Sequence, residues 1–310
     1  MMDKNAKIYV AGHTGLVGSS LVERLKAQGN TNLLLRTHEQ LDLTRQQDTE
    51  AFFQRERPDY VLVAAAKVGG IRANSEAPAD FFYQNMQIAT NVLWSAFQNN
   101  VKKLLYLGSA CMYPRLCEQP MQEENLLTGI PEPTNEAYAL AKVGGCRFCS
   151  YLHRQYGAPF ISAIPANAYG PNDSFDPLHS HVIPALIRKY HLAKVNQTPS
   201  VELWGSGKAL REFIFTDDLA DGCLFLMDHY DSDQEINMGT GEEVSMWELS
   251  KLVAHVVGYE GETVCDPSKP DGMPRRMVDS TRLEQLGWWP RVSLEEGIAR
   301  VYQVYQSRQA

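Results

Sequence analysis

The sequence predicts an α/β protein, a Rossmann-type doubly wound parallel sheet joined to a smaller α/β substrate-binding domain. Three observations carry that expectation. Through the first half, short and wholly apolar runs alternate with amphipathic stretches, the pattern of strands buried on both faces between helices. The first of these runs ends in a glycine-rich loop that leads directly into an amphipathic segment. Beyond about Pro165 the rhythm weakens into glycines, prolines and short segments between helices, which reads as a second, smaller domain.

In chain order, residues 7–11 read as the first strand and 16–29 as the first helix. Residues 32–36, 60–65 and 103–109 read as further buried strands. Helical spacing falls at 46–57, 78–100 and 135–156, then at 182–193, 245–257 and 294–307. The strand-and-helix pair at 212–227, together with 235–237, is expected to return to the first layer. One domain is therefore expected to comprise 1–166 and about 212–238, and the other 167–211 and 239–310. Trp288 and Trp289 are assigned to the core of the second.

Composition narrows the function. The 29 basic residues against 37 acidic ones give a net charge of −8, which argues against a nucleic-acid groove or a membrane-surface patch. A polyanionic ligand must then be held by a few local cations. There is no signal peptide and no apolar run of the roughly 18 residues that would span a bilayer. The six cysteines are sparse for this length and suit free thiols in the cytoplasm. Cys146 and Cys149 have no second ligand pair at zinc-like spacing, so no metal is expected and helix packing explains them better.

Gly12-His13-Thr14-Gly15-Leu16-Val17-Gly18 stands between the first strand and the first helix. In such a loop the first glycine permits the tight turn, the second lets backbone approach a pyrophosphate and the third lets helix pack on strand. The helix N-terminus adds amide donors and positive dipole, so the loop reads as a dinucleotide site. At the end of the second strand an acidic residue would favour NAD; Arg36 stands there and suits the 2′-phosphate of NADP(H). Asp42 either reaches the adenine or caps the helix that follows.

Tyr138 and Lys142 lie four residues apart on one helical face. A phenol of ordinary pKa, about 10, is poorly matched to proton transfer near neutrality, and an adjacent ammonium is expected to lower it. The pair follows a strand ending in Leu107-Gly108-Ser109, which sets a hydroxyl at the carboxyl edge of the sheet, where α/β proteins bind ligands.

With these parts in order, the chain resembles the extended short-chain dehydrogenase/reductases and, within them, the GDP-L-fucose synthase family. The resemblance runs end to end. Its most specific stretches are residues 64–71 and 83–86, Gly108-Ser109-Ala110-Cys111-Met112-Tyr113-Pro114, residues 133–136, the Ser180-His181-Val182-Ile183-Pro184 run, residues 204–207 and residues 268–272. It implies a bifunctional 3,5-epimerase and NADPH-dependent 4-reductase acting on GDP-4-keto-6-deoxy-D-mannose. It further implies catalytic roles for Ser109, Tyr138 and Lys142 in reduction and for Cys111 and His181 in epimerisation. Leu107, Gly108, Lys142, Pro165, Ala166, Asn167, Ala168 and His181 are implied at the cofactor, and Asn167, Lys189, Trp204, Arg211 and Asp271 at the GDP-sugar. A homodimer through a four-helix interface, from residues 78–100 and 135–156 of each copy, is implied as well.

The chemistry agrees with these assignments, because C3 and C5 both flank the C4 ketone and lose protons through an enolate. A base and an acid are needed on opposite faces, which a thiolate and an imidazolium supply. Among members of the family Thr14 replaces an arginine found in some, Lys189 an arginine and Ala110 a serine, so Arg36 alone marks the 2′-phosphate. Two other readings remain: the same chemistry on a 3,6-dideoxy sugar (a colitose-type product) or a 6-deoxyheptose, and a catalytically silent NADP-binding sensor.

Overall fold

Ile8–Ala11 forms β1, four apolar residues buried without exception, and this accounts for its place inside a parallel sheet covered on both faces. The computed structural model describes residues 2–176, 180–269 and 271–308; Pro270 of the motifs above lies outside the described residues. From β1 the chain passes through α1 (Leu16–Ala27), β2 (Leu33–Leu34), α2 (Gln46–Glu56), β3 (Tyr60–Val63), α3 (Ile71–Glu76), α4 (Pro78–Gln98), β4 (Lys103–Leu107), α5 (Glu136–Tyr156) and β5 (Phe160–Pro165). The second half contains β6 (Asn167–Tyr169), α6 (Val182–Val195), β7 (Ser200–Trp204), β8 (Leu210–Phe215), α7 (Thr216–His229) and β9 (Ile236–Met238). It closes with β10 (Glu243–Ser245), α8 (Met246–Val257), β11 (Glu262–Asp266), β12 (Arg275–Arg276), α9 (Thr281–Gln285) and α10 (Leu294–Ser307).

The six-stranded sheet has the order β2-β1-β3-β4-β5-β9, parallel throughout, which is the Rossmann-type arrangement expected. The edge strand β2 pairs over only Leu33 and Leu34, shorter than the apolar run from which it was read. On one face α2 packs through Phe52 and Phe53, whose rings meet Tyr9 of β1 at 4.7 and 5.9 Å between centroids. Helix α5 sits close to the sheet and to α4 because Gly144 and Gly145 lie at the contact. A Cβ on Gly144 would come within 2.9 Å of Met86 Sδ, and one on Gly145 would run into the Tyr106 ring. These glycines set how deeply the helix that carries Tyr138 and Lys142 approaches β4.

The chain leaves the large sheet at Pro165 and enters the small one at Asn167, while the Ala166 amide donates to Met238 O of β9 at 2.8 Å. In the small sheet β8 pairs with β10, β12 and β6. Residues 212–215, which the sequence pattern assigns to the first layer, thus pair in the second, and only α7 and β9 go back: α7 packs against α1, and β9 extends the large sheet. The reason lies in β8's alternation, since Ile214 is buried in the first core while Phe213 and Phe215 face the second. Trp288 also departs from expectation. It belongs to the first core, its ring filling the space over Gly222 of α7 and its indole donating to Asp221 at 3.0 Å, whereas Trp289 is exposed. Helices α6, α8 and α10 enclose the second core, and α8 begins with a reciprocal Ser245–Glu248 capping box.

Asn237 of β9 is fully buried and uses all its polar groups. Its side chain accepts from Tyr113 Oη at 2.6 Å and donates to Met121 O and Asp279 O at 2.9 and 3.0 Å, and its amide donates to Glu123 at 2.9 Å. Replacing Asn237 with leucine orphans several of these buried groups at about 1–3 kcal/mol each. Urea unfolding of Asn237→Leu is therefore expected to show a loss of about 2 kcal/mol or more, and an unchanged midpoint would contradict this reading.

Candidate active site

The turn after β1 has the geometry that its glycines suggest. Gly12 adopts a φ of 81°, and a Cβ there would lie 2.7 Å from the Ala65 backbone; one on Gly18 would run into the Gly12 carbonyl. Helix α1 begins with Gly15 as N-cap and no side-chain cap, leaving its first-turn amides to the loop, and His13 Nδ1 is buried without a partner among the described residues. Thr14 and Gly15 are exposed above the half-buried Leu16 and Val17. This cradle fits a dinucleotide pyrophosphate. At the end of the second strand Arg36 donates to its neighbour's carbonyl, Leu35 O, at 2.9 Å and to Glu56 at 3.3 Å, its guanidinium 5.8 Å from the Phe52 ring centre. Asp42 closes a turn on Thr44, accepting from its amide at 2.9 Å and its hydroxyl at 2.7 Å; α2 starts only at Gln46.

Beyond β4, Gly108 is packed against Cys146, Met112 and the Ala163 carbonyl, which leaves no room for a side chain beneath Ser109. The Ser109 hydroxyl accepts from the Cys111 amide at 3.3 Å and hydrogen-bonds Tyr138. Burial, and next the charge of Cys111, push the Tyr138 phenol above its ordinary range, with the Ser109 bond opposing them. Lys142 departs from the expected arrangement. Its ammonium donates to Leu107 O at 2.7 Å and lies 4.7 Å from the Tyr106 ring centre, so it is committed to the end of β4 and not to the phenol. Burial lowers it from the usual lysine value to about 8, close to neutrality.

Cys111 Sγ receives two donors, Asn135 Nδ2 at 3.2 Å and Arg276 Nη1 at 3.3 Å. Asn135 lies in the 133–136 stretch but was given no role from the sequence, and Arg276 was not singled out. The Arg276 contact spans 165 residues, and only the pairing of β12 with β8, which sets Arg276 opposite Arg211, brings it there. Burial, then the neighbouring Arg276, lowers Arg211 to about 10, while Cys111, Asp271 and Glu132 act in the other direction.

His181, at the N-cap of α6, bonds through Nδ1 to both oxygens of the buried Asp173 at 3.0 and 3.1 Å. The bond to Asp173 raises the imidazole above 6.5, against desolvation, so the ring keeps its proton to higher pH. With Nδ1 engaged, Nε2 is the nitrogen left for proton transfer. Asp173, too, was missed, since no motif surrounds it. The structure joins Ser109, Cys111 and Tyr138 in one cluster and gives His181 to Asp173 instead.

The remaining predicted residues border the second domain. Pro165, Ala166, Asn167 and Ala168 form the passage between sheets, and Asn167 Nδ2 donates to Glu212 O at 2.7 Å. Arg211 Nη2 donates to Asp271 O at 3.3 Å, and the Asp271 carboxylate accepts from the Ser206 amide at 2.7 Å beside the positive-φ Gly205. Trp204 is exposed, with Lys269 5.8 Å from its ring centre, and Lys189 donates to Glu202 O on the same strand at 2.5 Å. No metal-binding group is present among the described residues.

A parallel sheet with a glycine cradle at one strand end and a Ser–Tyr–Lys set at another defines a nicotinamide-dependent enzyme of the short-chain dehydrogenase/reductase class. Residues 8–239 match the NAD dependent epimerase/dehydratase family. The chain belongs to that family and, within it, to the GDP-L-fucose synthases. It is 54% identical to GDP-L-fucose synthase 1 of Arabidopsis thaliana over 98% of this chain and 94% of that protein. Among solved structures it resembles a GDP-6-OMe-4-keto-L-xylo-heptose reductase from C. jejuni (TM-score 0.95, 38% identity, 99% of each chain). It also resembles a GDP-L-fucose synthetase from Naegleria fowleri bound to NADP (TM-score 0.90, 27% identity, 100% of this chain and 96% of that one).

Removing the Asp173 charge lowers the proton affinity of His181. In Asp173→Asn the His181 resonance, followed by NMR against pH, is expected to titrate at lower pH than in the parent protein. Equal midpoints would remove Asp173 from the acid.

Proposed function

We propose that this chain converts GDP-4-keto-6-deoxy-D-mannose to GDP-L-fucose, epimerising C3 and C5 and then reducing C4 with NADPH. The observation that carries the reading is the cluster of Ser109, Cys111 and Tyr138, in which two hydroxyls lie beside a thiol that itself receives two donors.

In each epimerisation the Cys111 thiolate takes the proton from the carbon beside the ketone. The C–H electron pair moves into a new C=C bond, and the carbonyl pair moves onto O4. The Ser109 and Tyr138 hydroxyls hold the negative charge as it develops there. His181, protonated and fixed through Nδ1, gives the Nε2 proton to the opposite face, which restores the ketone with inverted configuration. Cys111 is left as thiol and His181 as neutral imidazole, and exchange with solvent resets both. When bound, NADPH supplies the hydride to C4. Tyr138 donates its proton to O4, and the Ser109 hydroxyl favours the phenolate that remains, while Lys142 stays bound to Leu107 O at the end of β4. Reduction comes last because it removes the ketone that acidifies C3 and C5. Arg36 serves the 2′-phosphate, while Lys189, Trp204, Arg211 and Asp271 serve the GDP-sugar.

The free cysteines suit action in the cytoplasm. Helices α4 and α5 leave Phe82, Tyr83, Leu140, Tyr151 and Tyr156 exposed, and we infer that they pair two copies through a four-helix interface. Light scattering behind size exclusion is expected to report a dimer at micromolar concentration; a monomer would refute the pairing.

Turnover in deuterated water separates the two halves of the mechanism. The parent protein is expected to oxidise NADPH and to release GDP-L-fucose labelled at C3 and C5. Tyr138→Phe should lose about 100-fold or more in reduction while still exchanging label into the substrate, and Cys111→Ser should lose the exchange. Brisk turnover of the 3-deoxy or heptose analogue alone would keep the chemistry and change the substrate.

A further inference from the structure

We propose that Arg276 is the positioning residue that holds the Cys111 sulfur in its ionised, proton-accepting form. The inference rests on the epimerase reading above and adds to it a group that no sequence motif marks.

Four observations support the proposal. Arg276 Nη1 donates to Cys111 Sγ at 3.3 Å, and Asn135 Nδ2 does so at 3.2 Å, so the sulfur is bonded as an acceptor from two directions. A sulfur used in that way is favoured as the anion, because charge strengthens both bonds. Next, β12 pairs in parallel with β8 so that Arg276 stands opposite Arg211, which brings two guanidiniums to one partly buried wall. Such a pair is costly without a nearby anion. Of the anionic groups near Arg211, Glu132 pairs with Arg115 at 3.2 Å, and the Asp271 carboxylate is engaged by the Ser206 amide. Cys111 is the remaining group in reach, and a negative charge on its sulfur would offset both cations.

The third observation is that Arg276 is held from behind. The neighbouring Arg275 donates to Glu243 at 2.7 Å, and the Val278 amide donates to the buried Glu212 at 2.9 Å, so the strand that presents Arg276 is pinned on both sides. Finally, Arg276 Nε and Asn135 Oδ1 are buried and have no partner among the described residues. An unpaired donor and an unpaired acceptor beside one sulfur suit a hydroxylated ring seated against it.

The charged and titratable groups facing the sulfur are thus Arg276, Arg211 and Tyr138, each near or touching Cys111, with Glu132 and Asp271 behind Arg211. The first two favour the thiolate and the others oppose it. Arg276 supplies the direct contact.

The test reads the thiol itself. Full-length parent, Arg276→Met, Arg276→Gln and Arg276→Lys are treated with iodoacetamide at pH 7, and alkylation at Cys111 is followed by peptide mass spectrometry, with Cys111→Ser as blank. Circular dichroism and thermal melting select the variants that keep the native fold. Cys111 alkylation should slow about tenfold in the methionine and glutamine variants and recover in the lysine variant. Deuterium wash-in at C3 and C5 should fall in step. Unchanged alkylation in both neutral variants, or a lysine variant as slow as they are, would overturn the proposal. If alkylation follows the charge at position 276 while the parent exchanges no deuterium, Arg276 keeps this role and the epimerase reading fails.

Discussion

The active cluster depends on a constraint that lies outside it, the buried amide of Asn237 in the middle of β9. One side chain ties Tyr113, two residues beyond Cys111, to Met121 and to Asp279, three residues beyond Arg276. The Met121 amide donates to Met277 O at 2.8 Å, and the Asp279 amide returns to Met121 O at the same distance. The loop that carries the thiol and the strand that carries its guanidinium partner are therefore fixed to one another through the sheet edge. A sulfur-to-guanidinium contact across 165 residues of sequence has no local support, and this network provides it.

The second constraint is the sharing of β8. Its alternation sends Ile214 into one core and Phe213 and Phe215 into the other, so neither core closes without the strand. Glu212, at the next position, is buried and accepts from the Thr240, Gly241 and Val278 amides, which draws the turn after β9 and the start of the 278–280 segment onto the same carboxylate. Burial raises its proton affinity and those three amides offset it. Arg211 stands beside Glu212 on the same strand, opposite Arg276 of β12. A change in how the two layers meet would thus be felt directly at the Arg211–Arg276 wall.

What could be read from the sequence was whatever local spacing determines. The glycine loop, the strand ends, and the four-residue step from Tyr138 to Lys142 are set by a turn or a helix period, and they stand where the pattern implies. Partners chosen by tertiary packing were not legible. Nothing in the neighbourhood of Asp173 or Arg276 announces a contact with His181 or Cys111. Trp288 was expected in the second domain because the sequence assigns 239–310 there, yet with Met273, Val278 and Leu283 it joins the first core, filling the gap over Gly222. Lys142 was read correctly in position and wrongly in partner: helix spacing places its Cα, whereas the free carbonyl at the end of β4 and the Tyr106 face decide where its ammonium goes.

In the proposed epimerisation a base and an acid must both be ionised at the same pH, and the distribution of charge around Cys111 and His181 suits that. On the Cys111 side the sulfur accepts from the Arg276 guanidinium, which itself stands opposite Arg211. On the His181 side a buried carboxylate stabilises positive charge on imidazole. Each group carries its own compensating partner of opposite sign, so neither needs the other for its ionised form, and a neutral sugar ring can separate them. His181 is engaged by Asp173 and Cys111 by Arg276 and Asn135, so each side chain is oriented by its own partners.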